Sequence, residues 1–313
     1  MVGRWLLLTV GPVLLTAGSY CLSIDREELA KEPAVVIADD VATPANGAPS
    51  EVTPLDSQCR VVAKSLQPRL IPGSVILVRP PFVVAGNLSE EQLQRYQRDL
   101  ILPISQALAT DFFDTPPTKP ITIILLAGDR SYREQSKRLD DVRTECYFGY
   151  YERNERRVVA NVATGNGTLA HELTHALAHF DFPGIPEWFD EGLATVFEQS
   201  EFSEDGLHLV GLANWRQSIL TLAVKRNELR PLTDLLSRQE IRPGREEIDY
   251  AHARYFCLYL QKRRLLGPYY RKYRANIEHD PQGIATLRTL LQVESLDEAD
   301  KDFRRWVISL NSK

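Results

Sequence analysis

The chain has 313 residues, 43% of them hydrophobic and 25% charged, enough to bury a large core in one or two domains. Its net charge of −5 gives no reason to expect nucleic acid or an anionic membrane surface as a partner. The only methionine is Met1, which removes any chemistry that needs one further along.

Residues 1–22 differ in kind from the rest of the chain. Arg4 precedes an uncharged run from Trp5 to Leu22, and Asp25, Glu27 and Glu28 come after it. This pattern predicts export, by a signal peptide cut near Ala17-Gly-Ser19 or by a retained anchor through residues 5–22 that tethers the protein to the outer face of the cytoplasmic membrane. Cys21 makes a poor lipobox because bulky Tyr20 abuts it. Residues 23–57 hold Pro33, Pro44, Pro49 and Pro54 among Ala, Asp and Glu with no aromatic residue, which reads as a flexible linker. Beyond the leader stand Cys59, Cys146 and Cys257; an odd number allows one disulfide at most, and the spacing suits buried free thiols rather than a metal site.

A folded domain is expected over 58–313. Residues 75–78 and 82–84 read as strand, and Ser89 with Gln92 forms a capping box opening a helix to about residue 112, interrupted at Pro103. The apolar run 121–126 is a strand between Pro120 and Gly128, and a polar helix follows over 132–141. Residues 146–151 and 157–162 flank the charged turn 152–156 as a hairpin. After residue 198 the pattern is helical over 214–226, 232–238, 246–263, 268–277, 283–291 and 296–310, with a second capping box at Ser295 and Glu298. Lys262-Arg-Arg264 and Arg271-Lys-x-Arg274 form a basic cluster that reads as solvated helix face.

The chemistry concentrates in Thr168-Leu-Ala-His171-Glu172-Leu-Thr-His175-Ala-Leu-Ala-His179 and Pro186-Glu-Trp188-Phe-Asp-Glu191-Gly192-Leu-Ala. His171 and His175, at i and i+4, emerge from one helix face a turn apart, a separation that suits two corners of a tetrahedral metal ion. Glu172 stands beside such an ion rather than on it, where it can take a proton from the water the site activates. A catalytic zinc needs a third protein ligand. The turn chemistry of Asp181-Phe-Pro183-Gly184-Ile-Pro186 lets the chain reverse into a second helix, opened by Pro186, with Glu191 one turn in and facing the histidines. Gly192 is expected to let these two helices approach closely, and Trp188 to pack between them. Thr195, one turn after Glu191, could buttress a histidine, but a core helix position is the reading it favours. His179 continues the row, but three ligands on one straight helix would splay, so it reads as a capping or surface residue.

HELTH followed by Pro-Glu-Trp-Phe-Asp-Glu-Gly-Leu-Ala resembles the gluzincin branch of zinc peptidases, closest to the bacterial peptidase-MA-like families, over roughly residues 74–265. The resemblance implies one Zn2+ held by His171, His175 and Glu191, with Glu172 as general base, and hydrolysis of peptide bonds in a peptide or protein substrate. It implies an α+β, zincin-like fold: a mixed-sheet upper half over 58–180 that carries the HExxH helix, a helical lower half over 181–313, and the metal in the cleft between them. In that fold the last strand before the metal helix is an edge that pairs with extended substrate; here that is 157–162. Gluzincins add a Tyr or His from the helical half to stabilise the oxyanion, and the stretch 249–255 holds both, with Tyr250 the first choice and His252 the second. A glycine-rich amine-binding motif of the aminopeptidases is missing, which tilts the reading toward an endopeptidase. A metzincin pattern would put Asp181 at its final position, but Ala178 replaces the required glycine and no downstream methionine exists. The reading from a different class is a zinc-binding pseudopeptidase serving as an envelope binding or scaffold module; the intact Glu172 speaks for the enzyme.

Overall fold

The computed structural model describes residues 53–141 and 148–310, and the backbone of 34–36. Residues 1–22, expected to be a signal peptide or anchor, and Cys146 lie outside the described residues. Among the described residues no helix is long and apolar enough to cross a membrane. They divide into two compact units, one within Val10–Pro103 and Pro117–Ala176, the other within Ile104–Pro116 and Leu177–Lys313.

The first unit is built on a six-stranded mixed sheet. Strand β1 (Ala34–Val36), inside the stretch expected to be linker, pairs in parallel with β2 (Val75–Arg79), which pairs antiparallel with β3 (Phe82–Gly86). β4 (Ile121–Leu126) lies parallel to β3 and to β6 (Arg157–Asn161), and β5 (Gly149–Glu152) closes the order β1-β2-β3-β4-β6-β5 antiparallel to β6. Every residue of β4 is buried, as its unbroken apolar run requires of a central strand covered on both faces. The expected hairpin is present, but the expected edge is not: β6 has a partner on each side, and among the described residues β5 is the edge.

Helix α1 (Pro54–Leu66) starts inside the predicted linker, because Thr53 and Asp56 make a reciprocal capping box and Pro54 sits in the first turn, where its missing N–H costs nothing. Its apolar side, Cys59, Ala63 and Leu66, joins Ile76, Val78, Val83, Ala85, Ile124, Leu126 and Val159 in one core. Burial pushes the Cys59 thiol up to about 11, so it is an inert, protonated core residue. Ser89 and Gln92 cap α2 (Glu90–Tyr96) as expected. The interruption comes just before Pro103: Gln97–Ile101 widens into a π turn in which the Leu102 N–H reaches back to the Gln97 carbonyl, and α3 (Leu102–Asp111) continues from there. Pro103 brings no N–H to the ladder and a ring that crowds the turn before it, which accounts for the break. Helix α4 (Asp129–Asp140) fixes the hairpin, since Asp140 accepts from Tyr150 Oη at 2.6 Å and pairs with buried Arg157.

Helix α5 (Asn166–Asp181) runs through the division between the units and is followed by α6 (Glu187–Phe197), with Pro186 at its N-cap. The second unit holds α6, a two-stranded hairpin of β7 (Ser200–Phe202) and β8 (Leu209–Gly211), and six further helices: α7 (Arg216–Lys225), α8 (Leu232–Arg238), α9 (Glu246–Lys262), α10 (Leu266–Ala275), α11 (Ile284–Leu291) and α12 (Leu296–Ser309). All six stand where the 3.6-residue pattern put them; the short β7–β8 hairpin gave no such signal. Ser295 caps α12 by accepting from Glu298 N, but Glu298 turns its carboxylate to Glu294 N, so only half the expected box forms.

The core of this unit is aromatic. Trp188 and Phe189 of α6 meet Phe256 of α9 and Tyr269, Tyr270 and Tyr273 of α10, with ring centroids 5.1–6.5 Å apart. Trp188 therefore packs α6 against α9 and α10. Gly192 serves the same contact: a Cβ there would stand 2.9 Å from Ala253 O and 2.9 Å from Cys257 Sγ, so the close approach it permits is to α9. Arg271 and Arg274 of the basic cluster turn to partners within this unit. Arg271 donates to the Asp111 carbonyl, and Arg274 pairs with Asp181 and Asp114.

Candidate metal centre

The HExxH helix carries its two histidines as the spacing required. His171 Nε2 and His175 Nε2 face each other 3.0 Å apart, with the rings at 78°. Two nitrogens on one tetrahedral zinc, each about 2.0–2.1 Å from it, stand about 3.3 Å apart, close to that separation. Glu191, five residues into α6, completes a group with them: one ligand atom from each of His171, His175 and Glu191 lies within 4.8 Å of the others. Two imidazole nitrogens and a carboxylate are a donor set that suits several divalent cations and leaves a position open.

Glu172 is nearly buried on the same helix. Its neighbour is Gly149, the first residue of edge strand β5: a Cβ there would collide with Thr168 Cγ2, stand 3.0 Å from Val159 O and 3.5 Å from Glu172 Cγ. Glycine is thus what lets β5 pass this close to α5. The sequence holds no mark of this beyond a glycine at the head of a hairpin strand.

Tyr250, in the first turns of α9, comes to Glu191. Burial first, then the charges of Glu191 and Glu187 and a hydrogen bond to Glu191, hold its phenol well above the ordinary tyrosine range, with Arg216 acting the other way. Its hydroxyl therefore stays protonated at neutral pH. Arg216 lies 6.0 Å from the Tyr250 ring and pairs with Glu198. The sequence did not single out Arg216.

The structure does not bring His252 to this group. Two positions along a helix turn a side chain by about 200°, so the face that carries Tyr250 toward Glu191 and Ala253 toward Gly192 turns His252 away. It is fully buried, stacked on Phe303 of α12 at 5.5 Å and 16°. Of the two, only Tyr250 stands beside Glu191.

Of three neighbouring residues, His179 differs from expectation, whereas Thr195 takes the core helix position and Asp181 is no ligand, as expected. His179 is neither a cap nor a surface residue; its Nε2 lies 2.8 Å from Asp190 Oδ2. His175, His179 and Asp190 form a second group within 4.8 Å, but the His179–Asp190 hydrogen bond explains that proximity without an ion. Thr195 Oγ1 donates to the Glu191 and Gly192 carbonyls of its own helix at 2.6 and 3.1 Å, not to a histidine. Asp181 accepts from Asp114 N at 2.9 Å and Thr115 N at 2.7 Å and pairs with Arg274, so both its oxygens brace the chain.

No protein-family model matches the chain, and no curated protein does.

Proposed function

We propose that the chain is an exported, zincin-like zinc peptidase, acting as an endopeptidase on peptide or protein substrates. The observation that carries the reading is the facing pair of imidazole nitrogens at 3.0 Å with the Glu191 carboxylate in the same 4.8 Å group. His171, His175 and Glu191 would hold the ion. Zinc there would supply Lewis acidity, polarising a carbonyl and acidifying water toward neutral pH.

The residues of the chain divide the remaining work. Glu172, beside the ligands and not among them, takes the proton of the attacking water and returns it to the leaving amine. Tyr250, kept protonated, donates a hydrogen bond to the oxygen that gains charge as the carbonyl becomes tetrahedral. β5, whose Gly149 passes beside Glu172, offers its outer edge to an extended peptide by main-chain hydrogen bonds. Export rests on the leader-like run of residues 5–22.

The test compares the wild type with Glu172→Gln for zinc content and for chelator-sensitive cleavage of a mixed peptide library. The expected result is one zinc per chain in both, with cleavage in the wild type reduced at least about 100-fold in the variant, the scale of a lost general base. Zinc in both and cleavage in neither would favour a binding or scaffold module. A wild type that takes up no zinc would end the metallopeptidase reading.

A further inference from the structure

The second unit contains a polar junction that the metal centre does not use. At the meeting of α8, α9 and α12, His252 is 0% exposed and neither ring nitrogen has a hydrogen-bond partner. The Arg230 side chain is 2% exposed. Its Nη2 donates to Glu240 O at 2.6 Å and lies 3.3 Å from Asp249 Oδ2, while Nε and Nη1 have no partner. His252 follows Asp249 by three residues, one turn along the same helix face, and the charges of both Arg230 and Asp249 act on its ring.

That carboxylate is already engaged. Asp249 accepts from Arg242 N at 3.0 Å, Nε at 2.8 Å and Nη2 at 2.7 Å. Arg304 is matched by Asp300 at 2.6 Å and donates its other end to the Leu229 and Arg230 carbonyls. Asp234 pairs with Arg238, and Glu240 is exposed. One buried carboxylate therefore faces two guanidinium groups, which leaves one positive charge in excess at Arg230.

The hydrogen-bond inventory agrees with the charge. Burial first, then the cations Arg230 and Arg304, push His252 down to about 3, so its ring is neutral with one N–H and one bare nitrogen. Arg230 adds one N–H at Nε and two at Nη1. Four donors thus stand against one acceptor. Buried polar groups left in that state are rare in folded proteins. Water would bring two further donors with its lone pairs, whereas a halide is an acceptor only and also cancels the charge. Since the His252 ring is sealed and Arg230 nearly so, the ligand must be small enough to be enclosed.

We infer that Arg230 and His252 form a binding site for a small monovalent anion of the chloride class. The site belongs to the second unit alone and stands whether or not the metal centre does. Thermal unfolding of the full chain tests it, with chloride varied and gluconate holding the ionic strength. The wild-type midpoint is expected to rise saturably with chloride, with bromide substituting; at one hundred times the dissociation constant the folding equilibrium gains about 100-fold. Arg230→Met is expected to flatten that dependence. Crystals grown in bromide give a second reading that needs no variant: an anomalous peak within hydrogen-bond distance of Arg230 Nε and a His252 nitrogen. A midpoint equal in chloride and gluconate, a chloride dependence that survives Arg230→Met, or no bromide peak at that position overturns the inference.

Discussion

Two regions gather histidine with charged residues, and they do so in opposite ways. In α5 and α6, His171, His175 and Glu191 present ligand atoms to one another on adjacent helices, with a partly buried setting and an edge strand alongside. Around the first turns of α9, His252, Asp249 and Arg230 are sealed behind Phe303. The first arrangement is partly exposed, and the second is enclosed. The second can only hold the unit together or hold something small. Histidine by itself therefore says little about function; the face of the helix it occupies says most of it.

The comparison breaks hardest at Asp249. It is fully buried and serves Arg242 and Arg230 together, so Asp249→Ala leaves Arg230 buried without its carboxylate and removes the partner of the partly exposed Arg242. Losing one partner of a buried pair costs about 3–5 kcal/mol. Urea unfolding should show a loss of that size, and a loss under about 1 kcal/mol would mean that the junction is wet and its charges screened.

Next in size is Gly192→Ala. The added methyl would meet Ala253 O and Cys257 Sγ, each at 2.9 Å, so α6 or α9 must shift. Overpacking of this kind costs about 1–3 kcal/mol, offset by about 1 kcal/mol from the better helix propensity of alanine. A net loss of about 0–2 kcal/mol is expected, and, under the proposed function, weaker zinc retention, because Glu191 adjoins the displaced residue. A variant more stable than the wild type would show that the contact yields freely.

What could be read from the residues tracks how local the cause is. The HExxH pair, Glu191 one turn into α6, the Ser89 cap and the helices after residue 198 follow from spacings within one or two turns. Long-range pairing was out of reach. Nothing local says that β5 and not β6 lies at the edge, that Gly192 faces α9, or that Asp181 waits for Asp114, Thr115 and Arg274. His252 shows the limit most sharply. It shares a short stretch with Tyr250, and only the phase of the helix against Phe303, 51 positions on, separates a core residue from a candidate donor.

His208 extends the comparison to a histidine with a carboxylate but without burial, and the expected effect is the smallest. Its Nδ1 lies 2.7 Å from Asp111 Oδ1, with the histidine side chain 46% exposed. The hydrogen bond to Asp111, then the charge of Asp111, raise its pKa above the ordinary value, with slight desolvation opposing and Asp205 adding to the rise. A raised folded value means that the protonated form is favoured in the fold. The contribution is fully present below the unfolded pKa of about 6.5 and is lost as pH climbs through the folded value. Asp111→Asn should therefore lower the unfolding midpoint slightly near pH 5 and leave it close to unchanged near about pH 8. The Asp111 carbonyl that receives Arg271 is untouched by this change. A midpoint difference that does not vary with pH would mean that solvent already supplies what Asp111 gives, as it does for most exposed ion pairs.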